Sequence, residues 1–453
     1  MLPPERNIPP PMGWLFSMLG CFLVHGEDAS RFWPQWRGPM GNGVALHADP
    51  PVQWSEDHHV AWKVELPGKG HATPIVWDEH VYISSAIPVG PKKDPVYNRA
   101  EGAHDNLSVS RDHLFSLSAY RRSDGMPAWR RDLNRVFPHE GGHETGSLAS
   151  ASPVTDGERI IVSFGSHGLY CLDMQGEVLW SRDFGSMQTR HAHGEGASPA
   201  LHGNRLVINW DHEGQSFVYC LDAASGKELW KSARDESTSW ATPLIIEHAE
   251  TTQVIVSATD KIRSYHLMTG EVLWECGGLS RNVVASPVAG HGIVVAANSY
   301  DWQAMLAIRL DGAKGDLTGS KQIAWSMNRL TPYVPSPLLY GRKLYFLRHL
   351  QGILSCVDLI TGEPVAGPFR LPRMRVLFAS PVGASNRIYI TSREGITLVM
   401  EHSDQPKILA VNQLDDVFSA SPALVDRQLF LRGESFLYCL GDRSKTAQRE
   451  SAH

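Results

Sequence analysis

Ser198-Pro199-Ala200-Leu201, Arg205-Leu206-Val207-Ile208-Asn209, Phe217-Val218-Tyr219-Cys220-Leu221-Asp222 and Lys227-Glu228-Leu229-Trp230 read as four short strands in series. Val, Ile, Leu and Tyr recur at a period of two, the pattern of residues that pack on a pleated surface, and no long stretch at period 3.6 competes with it. The connection Asp222 to Gly226 ends on a glycine, where a tight hairpin needs a positive φ, and starts on an aspartate able to accept bonds from the turn backbone.

The same order returns along the chain. Ser/Thr-Pro pairs stand at Thr73-Pro74, Ser152-Pro153, Ser198-Pro199, Thr242-Pro243, Ser286-Pro287, Ser336-Pro337, Ser380-Pro381 and Ser421-Pro422, with successive prolines 79, 46, 44, 44, 50, 44 and 41 residues apart. A period of roughly 40 to 50 residues is what four short strands and their turns require, and repeated radially it makes an all-β propeller. Eight pairs predict eight blades, the first swollen by loops. Outer-strand tryptophans fall at Trp129, Trp180, Trp230, Trp274 and Trp325, with Val365 and Leu409 in the corresponding region of two later units. The eighth unit stops after Phe436 to Leu440 without a fourth strand, while Val60-Ala61-Trp62-Lys63 carries the missing signature ahead of the first unit. An eight-bladed β-propeller closed by its N-terminal strand follows, because that pairing removes the open sheet edge.

Around this ring the chain divides into an export signal at 1–26, an N-terminal extension at 27–59, the propeller at 60–441 and a tail at 442–453. The apolar run from Met12 to Val24 is short for a permanent span and is followed by Gly26 and the acidic Glu27-Asp28, the order of a secretory signal. Leu19-Gly20-Cys21 also resembles a lipoprotein processing site, which would place a lipid anchor on Cys21. The expected location is therefore periplasm, cell envelope or medium, with no membrane span in the mature chain. A formal charge of −6 offers no basic excess for nucleic acid. Of six cysteines, Cys171, Cys220, Cys356 and Cys439 hold equivalent places in four blades, too far apart to pair, and read with Cys276 as buried free thiols.

These residues resemble the PQQ-like repeat propellers, a family that includes quinoprotein alcohol dehydrogenases and BamB-like assembly proteins. Trp33-Pro34-Gln35-Trp36-Arg37-Gly38-Pro39 with Gly70-His71-Ala72-Thr73-Pro74 looks more narrowly like the opening of exported planctomycete members. The resemblance implies the fold. For function it implies either a noncatalytic scaffold that binds proteins or ligands, as in BamB-like members, or an oxidoreductase using the quinone PQQ. The chain has no adjacent cysteine pair of the methanol-dehydrogenase type, and no residue aligns with those enzymes' catalytic aspartate or metal ligands.

In a propeller, connections from the outermost strand to the next innermost strand share one face with those joining the second and third strands. Here that face carries Arg131 to Leu148, Ser181 to Glu195, Ala366 to Leu377 and the long insertion Ala86 to Arg111, whereas the other face has tight turns such as His202-Gly203-Asn204. Rigid scaffolds present function on loops. The candidate ligand-binding residues on that face are His71, His143, Glu144, Arg190, His193, Glu195, Asp211 and His212. His71, His143 and His193 run toward the axis, where imidazoles and carboxylates can bind a small polar ligand or a protein partner, hold a metal, or move protons on a carbohydrate. The insertion, with Lys92, Lys93, Tyr97, Arg99 and His104, reads as a surface excursion or a partner-binding arm.

Overall fold

Each Ser/Thr-Pro unit folds into an antiparallel sheet, of four strands in the first seven and of three, completed from the N-terminus, in the eighth, with a short parallel fifth strand added to the fourth; the computed structural model describes residues 29–96 and 100–441. The stretch read as an export signal, Cys21, Tyr97, Arg99 and the tail lie outside the described residues. Blade three is typical, with Ala200–His202 innermost, then Arg205–Trp210, Ser216–Asp222 and Glu228–Arg234 outermost. Eight such sheets form the ring, and almost nothing helical interrupts them. In the eighth sheet Val60–Glu65 pairs antiparallel with Phe436–Leu440, setting Trp62 opposite Cys439 and Glu65 opposite Phe436. The composite closing blade expected from the sequence is present.

Three devices lock blade to blade, and each explains part of the repeat. The first is a wheel of hydroxyls. The backbone N–H of Thr73 donates to Ser152 Oγ, that of Ser152 to Ser198 Oγ, and so on through Thr242, Ser286, Ser336, Ser380 and Ser421, in seven bonds of 2.9–3.2 Å. A Ser or Thr at this place satisfies a buried N–H of the preceding blade, which otherwise would carry a desolvation cost of about 1–3 kcal/mol. The wheel has one gap, since Thr73 Oγ1 is buried without a partner. That gap is the seam between blades eight and one, where arginines take over. Arg432 donates to Ser84 O and to Ser85 Oγ, and Arg122 reaches Gln428 at 2.6 Å and Asp426 at 2.7 Å.

The second device is the outer tryptophan. Trp62, Trp129, Trp180, Trp230 and Trp325 each donate Nε1 to a carbonyl in the next blade's outer hairpin, at 2.8–3.1 Å, and lie against its glycine. Gly226 has φ 69°, and a Cβ on it would stand 2.6 Å from the Trp180 ring. Trp274 is the exception: the following hairpin is replaced by a longer connection whose Gly315–Asp316 pairs in parallel with Trp274 and Glu275, so its Nε1 turns to Gln253 instead.

The third device is the N-terminal extension, which crosses the axis on the tight-turn face as a plug. Trp33 exchanges backbone bonds with Val76 of blade one, Pro34 O accepts from Thr155 of blade two, and Trp36 Nε1 donates to Ser286 Oγ of blade five. Arg37 donates to Pro337 O and Pro381 O, both at 2.7 Å, and Ala45 and Gly43 bond Gly383 of blade seven. Met40 and Leu46 remain exposed on the plug's outer side.

The loop boundaries differ from the sequence reading in blade one. His80–Val89, Asp112–Arg121 and Pro127–Val136 are strands of ten residues, paired from His80↔Arg121 to Val89↔Asp112, so longer strands as well as loops widen the first interval. Nor is the insertion a free excursion. Asn106–Leu107 pairs with Gly142–His143, and Glu144 N donates to Asp105 O at 2.7 Å, docking it on the long-loop face. The five described cysteines are buried and unpaired.

Candidate functional site

Because Trp36 closes the axis from below, the channel is a blind chamber of about 350 Å³ opening on the long-loop face. Its floor is the hydroxyl wheel at Ser198, Thr242, Ser286 and Ser336, and its walls carry Trp240, Tyr300, Tyr333 and Phe378. His71, His143, His193 and Glu195 line the same chamber, so four of the eight candidates meet there. His71 is fixed by its backbone N–H, which donates to Ala149 O at 3.0 Å and Ser147 Oγ at 3.0 Å. His143 Nδ1 bonds Thr145 Oγ1 at 2.8 Å, and its ring meets His193 edge-on at 4.7 Å between centroids. His193 Nε2 lies 3.2 Å from His104 O, and the rings of His104 and His191 stand 4.9 and 5.4 Å from it. Through this stack the insertion forms part of the chamber rim.

Glu195 is held from behind. Its carboxylate accepts Ser166 N at 2.6 Å and Ser166 Oγ at 2.5 Å, and the preceding Gly165, at φ 56°, makes room that any Cβ would fill. Loss of water at the chamber wall pushes the Glu195 carboxyl up to about 7, against the two bonds from Ser166 that favour the anion. The imidazoles move the other way. Burial, then the charges of Arg432, Arg393 and Lys69, lower His71 to about 3, and burial lowers His193 to about 4, with crowding by its fellow imidazoles adding to the effect. At neutral pH His71 and His193 are therefore uncharged, and the Glu195 carboxyl is poised between its two forms.

These shifts set opposite pH dependences. An unfolded histidine titrates near 6.5, so below that pH the unfolded chain takes up a proton that native His71 refuses until about 3. The parent should lose stability relative to His71→Gln as pH falls from 6.5, by at most about 1.4 kcal/mol per pH unit. Glu195 reverses the sign: its native form holds a proton that the unfolded chain has released, so the parent should lose stability relative to Glu195→Gln as pH rises from about 4.5 to about 7. Urea unfolding of the three proteins at pH 4.5, 6 and 8 reads both differences, and parallel pH profiles would refute them.

The other four candidates lie elsewhere. Glu144 is exposed and ties the insertion down through its backbone. Arg190 stands in a separate cleft with Glu140, Glu213 and Arg281. Asp211 is fully buried, paired with Arg234 at 2.7 Å and bonded by Ser239 Oγ at 2.7 Å, the description of a structural ion pair. His212 braces its own loop, its Nδ1 accepting from Gln188 and Gly214 backbone at 3.3 and 3.2 Å. Conversely, Trp240, Tyr300 and Phe378 are wall residues that no local motif announced, since blades distant in sequence deliver them. The Ser/Thr-Pro repeat was itself the signal for the floor.

The chamber does not fit a quinone cofactor of the PQQ kind. The companion metal of such a cofactor calls for several free oxygen ligands, but among the described residues the one carboxylate lining the chamber, Glu195, is already engaged by Ser166. Among the described residues no three His, Cys, Asp or Glu side chains are grouped to hold a metal ion.

The family model described as outer membrane protein assembly factor BamB matches residues 51–208 and 214–448. No curated protein matches the chain in sequence. Among solved structures, BamB from Moraxella catarrhalis superposes with a TM-score of 0.54 at 14% identity, over 83% of this chain and 98% of that one. The quinohemoprotein alcohol dehydrogenase ADHIIG from Pseudomonas putida HK5 gives 0.55 at 12% identity, over 91% and 80%. The computationally designed Ika8 protein gives 0.57 at 11%, over 84% and 99%. At such identities the likeness to these structures is one of fold.

Proposed function

The chain belongs to the family of the outer membrane protein assembly factor BamB, and from that premise we propose that it is an exported, noncatalytic propeller that binds a protein partner or a polar ligand through its long-loop face. The observation that carries this reading is the one-ended chamber: the chain's own N-terminal plug fills the axis on one side, leaving imidazole and aromatic walls accessible from the other. A pocket of aromatic walls with a few convergent polar groups is the common form of a recognition site. The docked insertion and the exposed Trp302 extend the same face outward. No helix among the described residues is long and apolar enough to cross a membrane.

The test compares the two faces with matched probes. Trp302 on the long-loop face and Met268 in a hairpin of the opposite face are equally exposed, at 55% and 56%. A photo-crosslinking residue at 302 should give a discrete adduct in cells of an exporting host, and one at 268 should not. Adducts from 268 alone would overturn the assignment of the face. A second reading rests on Glu195, whose poised carboxyl can donate a proton to a bound glycoside; turnover abolished by Glu195→Gln would replace the scaffold with an enzyme.

A further inference from the structure

The hydroxyl wheel leaves protons without acceptors. Ser198, Thr242, Ser286 and Ser336 each accept a neighbouring backbone N–H, and Ser286 Oγ accepts a second bond, at 3.1 Å, from Trp36 Nε1. A hydroxyl that accepts keeps its own O–H to donate, and no acceptor among the described residues takes it. The four side chains are nine-tenths or more buried, at 3%, 8%, 6% and 1% exposure, and all face the chamber.

The charges nearby have the matching sign. Next to Trp36 in the plug, Arg37 is 2% exposed and spends its guanidinium on the carbonyls of Pro337 and Pro381, which follow Ser336 and Ser380, with a longer bond to Asn42 O at 3.4 Å; among the described residues no carboxylate meets it and its Nε has no partner. At the seam, Arg432 is 1% exposed, bonded to Ser84 O and Ser85 Oγ, again without a carboxylate and with Nε unpartnered. A buried charge without a counter-ion is costly. His71 on the wall feels this field, since Arg432, Arg393 and Lys69 all act to keep its imidazole neutral. The one carboxyl facing the chamber, Glu195, is turned toward Ser166. A cation would find lone pairs on the wheel but a repulsive field. An anion finds both donors and countercharge.

We infer that the floor of the axial chamber is an oxyanion site, in which Ser198, Thr242, Ser286 and Ser336 donate their hydroxyl protons to a carboxylate or phosphate group above the buried Arg37 charge. The chamber exceeds such a headgroup in size, and Trp240, Tyr300, Tyr333 and Phe378 flank whatever body the group is attached to. This rests on the reading that the long-loop face binds a ligand and specifies its chemistry. The anion can belong to a small molecule or to the carboxyl terminus of a polypeptide.

Calorimetric titration at constant ionic strength with benzoate, benzamide and benzamidine compares one ring bearing an anionic, a neutral and a cationic head. A short peptide with a free or an amidated C-terminus makes the same comparison for a polypeptide source. Benzoate, or the free-acid peptide, should bind at least about tenfold more tightly than its neutral counterpart, and the series showing the preference identifies the source. Thr242→Val, which removes one donor, should weaken anion binding several-fold, and Thr242→Ser should restore it. Should Thr242→Val fail to fold, the comparison of heads on the parent protein decides alone. Equal binding of acid and amide in both series, or a preference for benzamidine, overturns the proposal. A long-loop crosslink at position 302 without any anion preference would sink the oxyanion site while leaving the binding face intact.

Discussion

Trp62→Ala is expected to destabilise the ring by about 3–5 kcal/mol, the range for emptying a buried aromatic site, and deletion of Val60–Glu65 to prevent its closure. Trp62 is 6% exposed, packs on Phe430 at 5.9 Å between centroids, donates to Arg122 O at 2.9 Å and covers Gly125, where a Cβ would stand 2.6 Å from the ring. One residue thus ties blade eight to blade one across the seam where the hydroxyl wheel is broken. Without the strand, Leu437, Tyr438, Cys439 and Leu440, all fully buried, lose their cover, and their backbone becomes an unpaired apolar edge of the kind that recruits other chains. Since whole domains are stable by only about 5–15 kcal/mol, the deletion should yield aggregate while the point variant folds with a lowered denaturation midpoint. Size-exclusion chromatography and urea unfolding read the two outcomes. A monomeric deletion variant with the parent's midpoint would show that the composite blade does not close the ring.

Gly226→Ala should cost about 2–5 kcal/mol, where the same change at Gly203 costs about 1–2. Both glycines have positive φ, 69° and 53°, so both alanines bear the left-handed penalty of about 1–2 kcal/mol. They differ in what the new methyl meets. At Gly203 nothing lies within 4 Å, whereas at Gly226 the Cβ stands 2.6 Å from Trp180 Cε3 and the ring must shift, weakening its bond to Ala223 O. Overpacking adds about 1–3 kcal/mol. A double-mutant cycle with Trp180→Ala isolates the contact: in that background the two alanines should cost the same. If they already cost the same in the parent, the tryptophan does not dock on the glycine as described.

The two variants probe features that were legible in the chain to different depths. Gly226 announces itself locally, as the end of an Asp-x-x-x-Gly hairpin, and Trp180 as the repeat's outer-strand residue, but nothing local says that the one rests on the other in the next blade. His71, His143 and His193 share the chamber because each precedes an innermost strand or lies on a loop leading to one, a relation that strand order alone supplies. Asp211 looked equally suited, yet it stands opposite Arg234 at a distance of 23 residues, and that partner converts it into a fully buried ion pair. His212 lies beside it in sequence and turns instead to backbone amides of two loops.

Blade number, strand order, the composite closure and the face that carries the long loops were written in the sequence, because each follows from the repeating unit, from the strand missing in its last copy or from a loop length within it. What only the tertiary structure decided are the contacts made across the axis. Trp33 to Pro39 could be quoted as a motif but not recognised as a plug, since Trp36 meets Ser286 after 250 residues and Arg37 meets Pro381 after 344. The chamber is blind, its floor rich in donors and its buried arginines without counter-ions for the same reason. A closed ring brings to one point side chains that belong to eight separate repeats, and no stretch of sequence contains that point.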